Sequence, residues 1–409
     1  MRLIFAIFAS VNNQNRQMKR YIFLFFTLAF AFSLHAQRQL SENARISIIT
    51  ITPSDEAVFT MYGHTAVRVQ DVTLGIDDVF NYGYFNNREP NFLFNFVRGR
   101  ANYFVEVPPF SRFMMPYMWR GVGAIEQVLD LTQEEKQNLF NAMYISALPE
   151  NRYYLYDFFF DNCVTRPRDM LEKYVPGMVY PEDARIQTFR NLIHECVYPF
   201  PWVKFGIDLV IGSGADSVIT LRNKMFIPAY FQEALAETVV IRNGIAVPLV
   251  KETNILLEAV VGVGDDHQIF FTPMVVMLLF LLLSIFISRK QRSNPNSLLS
   301  RVFDTIFFLI IGLGGVVIFF LMYFSIHPST NPNWNLMWMN PIALIAAVLF
   351  WIKRVRNIIY YYHFANFAVL TLFLLFMWLI PQQFNGAIIP LVISLWLRSG
   401  TNWFLRKTV

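Results

Sequence analysis

Acidic side chains all but vanish from the last third of this chain, where Asp304 is the single carboxylate residue beyond Asp266. Long apolar runs show the opposite bias: apart from the N-terminal leader, runs of membrane-spanning length occur only beyond Ile269. Charge of either sign is scarce, 15% of residues against 55% hydrophobic, which excludes an ordinary soluble protein and points to a membrane share. Cysteine is scarcer still, with two residues, and histidine numbers six. Neither Cys163 nor His64 has a second ligand at metal spacing, so no metal site is expected. Basic stripes with interleaved aromatics are missing from the polar part, so the net charge of +5 implies no nucleic-acid partner. Internal repeats and low-complexity linkers are absent as well.

What is present divides the chain into three. "MKRYIFLFFTLAFAFSLHAQ" has a basic start at Met18, an apolar stretch and a small residue, Ala36, before Gln37. That is the layout of a secretory signal peptide over residues 1–36, with Met18 as the expected true start and an exported domain after it. Residues 37–268 are long enough for one substantial core. Residues 269–409 thread a membrane by charge: "SRKQR", "KRVR" and "LRK" fall on alternate ends of the apolar runs, and the loop from Ser325 to Asn340 has no Lys or Arg. The pattern predicts about five spans, near Phe270 to Ile287, Thr305 to Phe324, Leu336 to Ile352, Ile358 to Ile380 and a short one to Leu397. Trp334 and Trp338 are expected in an interfacial belt.

The exported part reads as α+β. "ARISIITITP" and "TAVRVQDV" carry the β-branched alternation of strands, and "DDVFNYGYF" reads as a third strand or its loop. "LTQEEKQNLFNAMYISALP" opens on Thr132 with Glu135 three residues on, a capping box, and stops before Pro149. Helices packed on a small antiparallel sheet are the expected architecture. Period two places Thr65, Val67 and Val69 on one face of the second strand and His64, Ala66 and Arg68 on the other.

Cys163 stands in "FFFDNCVTRPRD", where "DN" is a turn or cap signal before a helical stretch. With Pro167 too deep for a first turn capped at Asn162, the regular helix is expected near Thr165 or Arg166 and the thiol in the lead-in turn. Unpaired backbone N–H groups, the helix dipole, Arg166 and Arg168 would all favour a thiolate there. Three readings remain open for Cys163: nucleophile, disulfide partner of Cys196, or plain core cysteine. His64 is either its base or a satisfied core histidine, and His194 reads as structural.

"YGHTAVRV", "FNYGYFN", "FVRGRANYF", "LDLTQEE", "YLYDFFFDNCVTRPRD" and "HPSTNPNWN" resemble the Lnb family of lipoprotein N-acyltransferases, over nearly the whole mature chain. The histidine-then-cysteine order resembles the permuted papain-like thiol enzymes more widely. The resemblance implies a bacterial inner-membrane enzyme with a periplasmic catalytic domain and an all-α transmembrane bundle. Its donor would be a membrane phospholipid, its acceptor the free α-amine of a diacylated lipoprotein, and its catalytic pair Cys163 and His64, with no cofactor. Asn81 is the preferred third member; Arg68, Tyr82, Arg166 and His327 are candidates for contact with substrate. A tethered cell-wall cysteine amidase and a non-catalytic envelope scaffold are the competing functions.

Overall fold

The computed structural model describes residues 38–260 and 271–406. The expected signal peptide and the boundary near residue 268 therefore lie outside the described residues.

Three antiparallel strands come first, β1 (Arg45–Ile51), β2 (His64–Asp71) and β3 (Ile76–Tyr84). There follow α1 (Phe92–Val97), β4 (Asn102–Glu106), α2 (Phe110–Arg120), β5 (Ala124–Leu129), α3 (Gln133–Ala147) and β6 (Tyr153–Leu155). Next are α4 (Thr165–Tyr174), β7 (Met178–Val179), α5 (Phe189–Cys196), α6 (Pro201–Val210), α7 (Leu221–Lys224) and α8 (Pro228–Glu237). β8 (Val239–Arg242), β9 (Ile245–Pro248) and β10 (Val250–Leu257) close the domain. Seven strands form one antiparallel sheet in the order β10-β5-β1-β2-β3-β4-β6, larger than the small sheet expected.

Both faces of the centre of this sheet are covered. Ile46, Ile48, Val67, Val69, Phe80 and Tyr82 pack with residues of α3, α4 and α8 in the main core. Ile49, Ala66 and Val79 pack on Phe113 and Met114 of α2 on the other side. The capping box of α3 forms as read: Glu135 N–H donates to Thr132 Oγ1 (3.2 Å) and Thr132 N–H to Glu135 Oε2 (2.7 Å).

The membrane part holds α9 (Pro273–Ser293), α10 (Leu298–Phe324), α11 (Ile342–Leu349), α12 (Arg356–Phe376) and α13 (Ile388–Arg406). Among the described residues four helical stretches are long and apolar enough to span: Pro273–Ser293, Leu298–Phe324, Lys353–Leu379 and Ile388–Leu405. The expected third span is corrected. α11 has eight residues, about 12 Å of helix against a hydrocarbon core of about 30 Å. Pro328, Pro332 and Pro341 keep the preceding stretch out of α-helix until Ile342, leaving only short 3-10 turns at Pro328–Thr330 and Trp334–Met337. That irregular backbone is sheltered against α10, where a Cβ on Gly312 or Gly315 would collide with the backbone of Leu344 or Asn340. The chain still arrives at the far end, where the Trp351 indole donates to Thr305 Oγ1 (2.9 Å), so the alternation of basic clusters holds although one pass lacks a spanning helix.

Trp338 is fully buried and donates to Asn335 Oδ1 (3.0 Å), so it belongs to the bundle interior rather than to an interfacial belt. Arg398, also fully buried, grips Asp304 (2.6 and 2.9 Å), Gln291, Ser300 and Ser288. Asn402 adds a bond to Asp304 (2.7 Å). Ionic and amide groups this deep persist because each finds partners on a neighbouring helix.

The two parts are joined by backbone as well as side chains. Gly212 N–H donates to Ser329 O (2.8 Å) and Ser213 N–H to Pro332 O (2.8 Å). Asn333 and Asn335 donate to the carbonyls of Leu209 and Asp208, while Asn385 donates to the Asp208 carboxylate (2.9 Å). The same carboxylate accepts from Arg190 (2.9 Å) and is 2.7 Å from His194 Nε2, which makes His194 structural.

Candidate active site

β2 begins at His64, and its register with β3 sets the imidazole and Asn81 on one face of the sheet. His64 Nε2 lies 2.7 Å from Asn81 Oδ1. Because an amide oxygen only accepts, Nε2 carries the proton, and Nδ1 is left for the thiol.

Cys163 arrives from across the fold, in the turn before α4. The Asn162 side chain makes that turn: Oδ1 accepts from the N–H groups of Val164 (2.8 Å) and Thr165 (2.9 Å), and Nδ2 donates to the carbonyls of Phe158 and Phe226. Regular helix starts at Thr165, with the thiol in the lead-in turn. Gly83 permits the approach of β3, since its φ is +87° and a Cβ there would stand 3.3 Å from Cys163 Cβ.

Burial opposes ionisation of Cys163, but the adjacent His64 imidazolium and hydrogen bonds from His64 and from the N–H groups of Thr65 and Cys163 itself hold the thiol below its usual range. Burial likewise opposes protonation of His64, yet the Cys163 thiolate and hydrogen bonds with Cys163 and Asn81 leave its pKa raised. A thiolate–imidazolium pair results, with two backbone N–H groups aimed at the negative atom. Cys196 is different: both cysteines are free, which removes the disulfide reading, and burial pushes the Cys196 thiol up to about 12. Iodoacetamide at pH 7 is therefore expected to label Cys163 well ahead of Cys196, and His64→Ala is expected to slow Cys163 alone. Peptide mapping that found the two thiols labelled at equal rates would contradict this.

Burial and the Cys163 thiolate both push the Tyr156 hydroxyl upward. A chain of aromatic contacts runs on from that ring. Tyr156 stacks on Tyr103 (4.3 Å), Tyr103 meets Phe85 (5.1 Å), and Phe85 stacks on Phe92 of α1 (5.2 Å). α1 is six residues long and buries none of them; Leu93, Phe94 and Phe96 are exposed. Phe94 meets Phe320 on α10 (6.0 Å), so this apolar helix sits against the membrane bundle, at the far end of that chain of contacts. Tyr156 and Phe92 carry no sequence signal that singles them out, and "YLYDFFF" by its apolar run alone reads as buried strand or helix. It is instead a short strand and a turn, in which Asp157 Oδ1 accepts from the N–H groups of Phe159 and Phe160.

Residues 31–195 match the Lnb N-terminal periplasmic domain, and residues 265–408 match the Lnb transmembrane domain. The chain belongs to the Lnb family. It is accordingly a multi-pass membrane protein with a periplasmic domain, and its α+β fold followed by a helical bundle agrees with that membership. No curated protein and no solved structure matches this Lnb chain.

The four expected substrate contacts fare differently. Tyr82 is corrected: it points into the main core, its hydroxyl 2.9 Å from Ser146 Oγ, because it alternates with Asn81 along β3. Arg68 is corrected too. It shares the face of His64 but is buried, paired with Asp77 (2.7 and 2.8 Å) and Glu126 (3.1 Å) and laid on Phe110 (3.5 Å), so its charge is already matched by two carboxylates. Arg166 forks onto Asp161 (2.5 and 2.8 Å) over the Tyr154 ring (3.5 Å) and so shapes the Cys163 turn. His327 Nε2 lies 2.9 Å from the Phe96 carbonyl, so the loop residue expected beside headgroups instead docks α1 on the bundle.

Proposed function

We propose that this chain is a lipoprotein N-acyltransferase, moving an acyl chain from a membrane phospholipid to the free α-amine of a diacylated lipoprotein. The observation that carries the reading is an activated Cys163–His64 pair in a domain whose aromatic contacts run from Tyr156 to an exposed apolar helix on the membrane bundle. A water-borne cell-wall substrate has no use for such a helix, and a scaffold has no use for the ion pair.

The Cys163 thiolate attacks the ester carbonyl; the S–C bond forms, the C–O bond breaks, and the His64 imidazolium protonates the departing lysophospholipid oxygen. His64, now neutral, takes a proton from the acceptor amine as its nitrogen attacks the thioester, and the thiolate leaves with the imidazolium restored. Backbone N–H groups of Thr65 and Cys163, which face the sulfur in the resting site, are near enough to stabilise the oxyanion. Asn81 holds the imidazole in the tautomer that serves both steps.

The reading is tested with the purified chain in phospholipid vesicles and a synthetic diacyl lipopeptide, followed by mass spectrometry. A mass gain of one acyl chain on the amine supports it. Release of free fatty acid with no lipopeptide product sinks it, as does cleavage of peptidoglycan fragments instead. Rate against pH is expected to be bell-shaped, falling at low pH as Cys163 takes its proton and at high pH as His64 loses the proton it must donate. Since the Asn81 bond raises the His64 pKa, Asn81→Ala should move the alkaline limb to lower pH and cost about 10²-fold or more in rate. An unmoved limb would remove Asn81 from its role.

A further inference from the structure

At the end of the bundle remote from the periplasmic domain lies a cavity of about 240 Å³ between the ends of α9, α10 and α13 and the turn joining α11 to α12. Three cations from different elements line it: Arg301 in the first turn of α10, Lys353 in the turn after α11, and Arg356 at the start of α12. No ion pair to any of the three occurs among the described residues. The carboxylate that also lines the cavity, Asp304, is already engaged by Arg398 and Asn402. Gln291, Ser297 and Asn402 add neutral polar groups, and Phe350, Ile359 and Leu405 add apolar wall.

Basic residues at the inner ends of spans set topology wherever they fall along the loops. Topology does not require three of them to converge on one cavity, nor that cavity to open onto lipid. Here Ile345, Val348 and Ile352, spaced by three and four residues on and just after the short α11, are exposed apolar side chains, and Ile352 lines the cavity itself. A polar, cationic recess beneath an apolar outward strip fits an amphiphile with an anionic head. The volume suits a phosphate and its immediate substituents and is far too small for acyl chains, which would lie along the strip.

We propose that this cavity binds the phosphate of an anionic phospholipid from the leaflet opposite the periplasmic domain, a site separate from the thiol centre and independent of its chemistry. The chemistry recognised is a phosphate carrying net negative charge, which a lipid headgroup or free phosphate could supply, and the test distinguishes them.

The melting temperature of the purified full chain in maltoside detergent is measured with short-chain phosphatidylglycerol, with phosphatidylcholine of the same chain length, and with inorganic phosphate at equal concentration. Phosphatidylglycerol is expected to raise it by roughly 3–6 °C, the size expected for ligand at many times its dissociation constant, and the other two by much less. The double variant Lys353→Gln/Arg356→Gln, both exposed side chains, should melt normally without ligand and lose the rise. Arg354→Gln, an exposed neighbour that does not line the cavity, should keep it. An equal response to phosphatidylcholine, or a rise retained in the double variant, overturns the site. A full rise with inorganic phosphate alone overturns the lipid and leaves a phosphate site.

Discussion

Cys163→Ala is expected to lower acyl transfer by on the order of 10⁴-fold or more, since the variant has no atom on which an acyl intermediate can form. The side chain is partly buried and lighter by one sulfur, so the melting temperature should move little. Loss of rate without loss of fold is the decisive pattern. Wild-type chain incubated with phospholipid but no acceptor should gain the mass of one acyl group on the peptide containing Cys163, a mass that hydroxylamine removes. His64→Ala should lose nearly as much rate and accumulate little of that adduct, because both attack and departure depend on its proton. An alanine variant with wild-type rate would make Cys163 structural and end the proposed mechanism, whatever the fate of the lipid-binding cavity on the other face.

The largest expected effect on stability lies at Arg398. Its guanidinium is wholly buried and is the partner of a carboxylate that is itself 3% exposed, so Arg398→Ala strands Asp304 in the bundle interior. Breaking a buried ion pair by removing one member costs about 3–5 kcal/mol. Thermal unfolding in detergent should show a large drop, and Asp304→Asn in the same background should recover part of it by removing the stranded charge. If the single and double variants melt alike, the energy does not reside in the pair.

Much of the site was legible because its signals are local. Strand alternation put His64 on a face with Ala66, the cap signal put Cys163 in a lead-in turn, and three residues that meet in space were named from three short segments. Where reading failed, the missing fact was what covers a face. Arg68 was assigned to the correct side of β2, but nothing in its own strand announces that Phe110, Asp77 and Glu126 close over it. Period two along β3 sets Asn81 and Tyr82 on opposite faces, so Tyr82 could have been set aside once Asn81 was preferred. The third pass shows a different gap: an apolar window counts residues, whereas the prolines and glycines decide whether their backbone can be helix and what shelters it when it is not. Trp338 was misplaced for the same reason, since an indole at a span end looks interfacial until its partner Asn335 is found inside.

The junction of Leu209, Gly212 and Ser213 with residues 329–335 has one more implication, and it concerns depth. With Gly212 and Ser213 bonded to the backbone of Ser329 and Pro332, the proposed reaction would keep the sulfur at a constant height relative to the bilayer plane. Ester carbonyls of phospholipids occupy nearly the same height whatever the length of their tails. Under the proposed function, a nucleophile so fixed would register where along the lipid to cut and be blind to how much hydrocarbon hangs below. Tail length should matter little to the rate, and bulk or branching close to the carbonyl should matter a great deal.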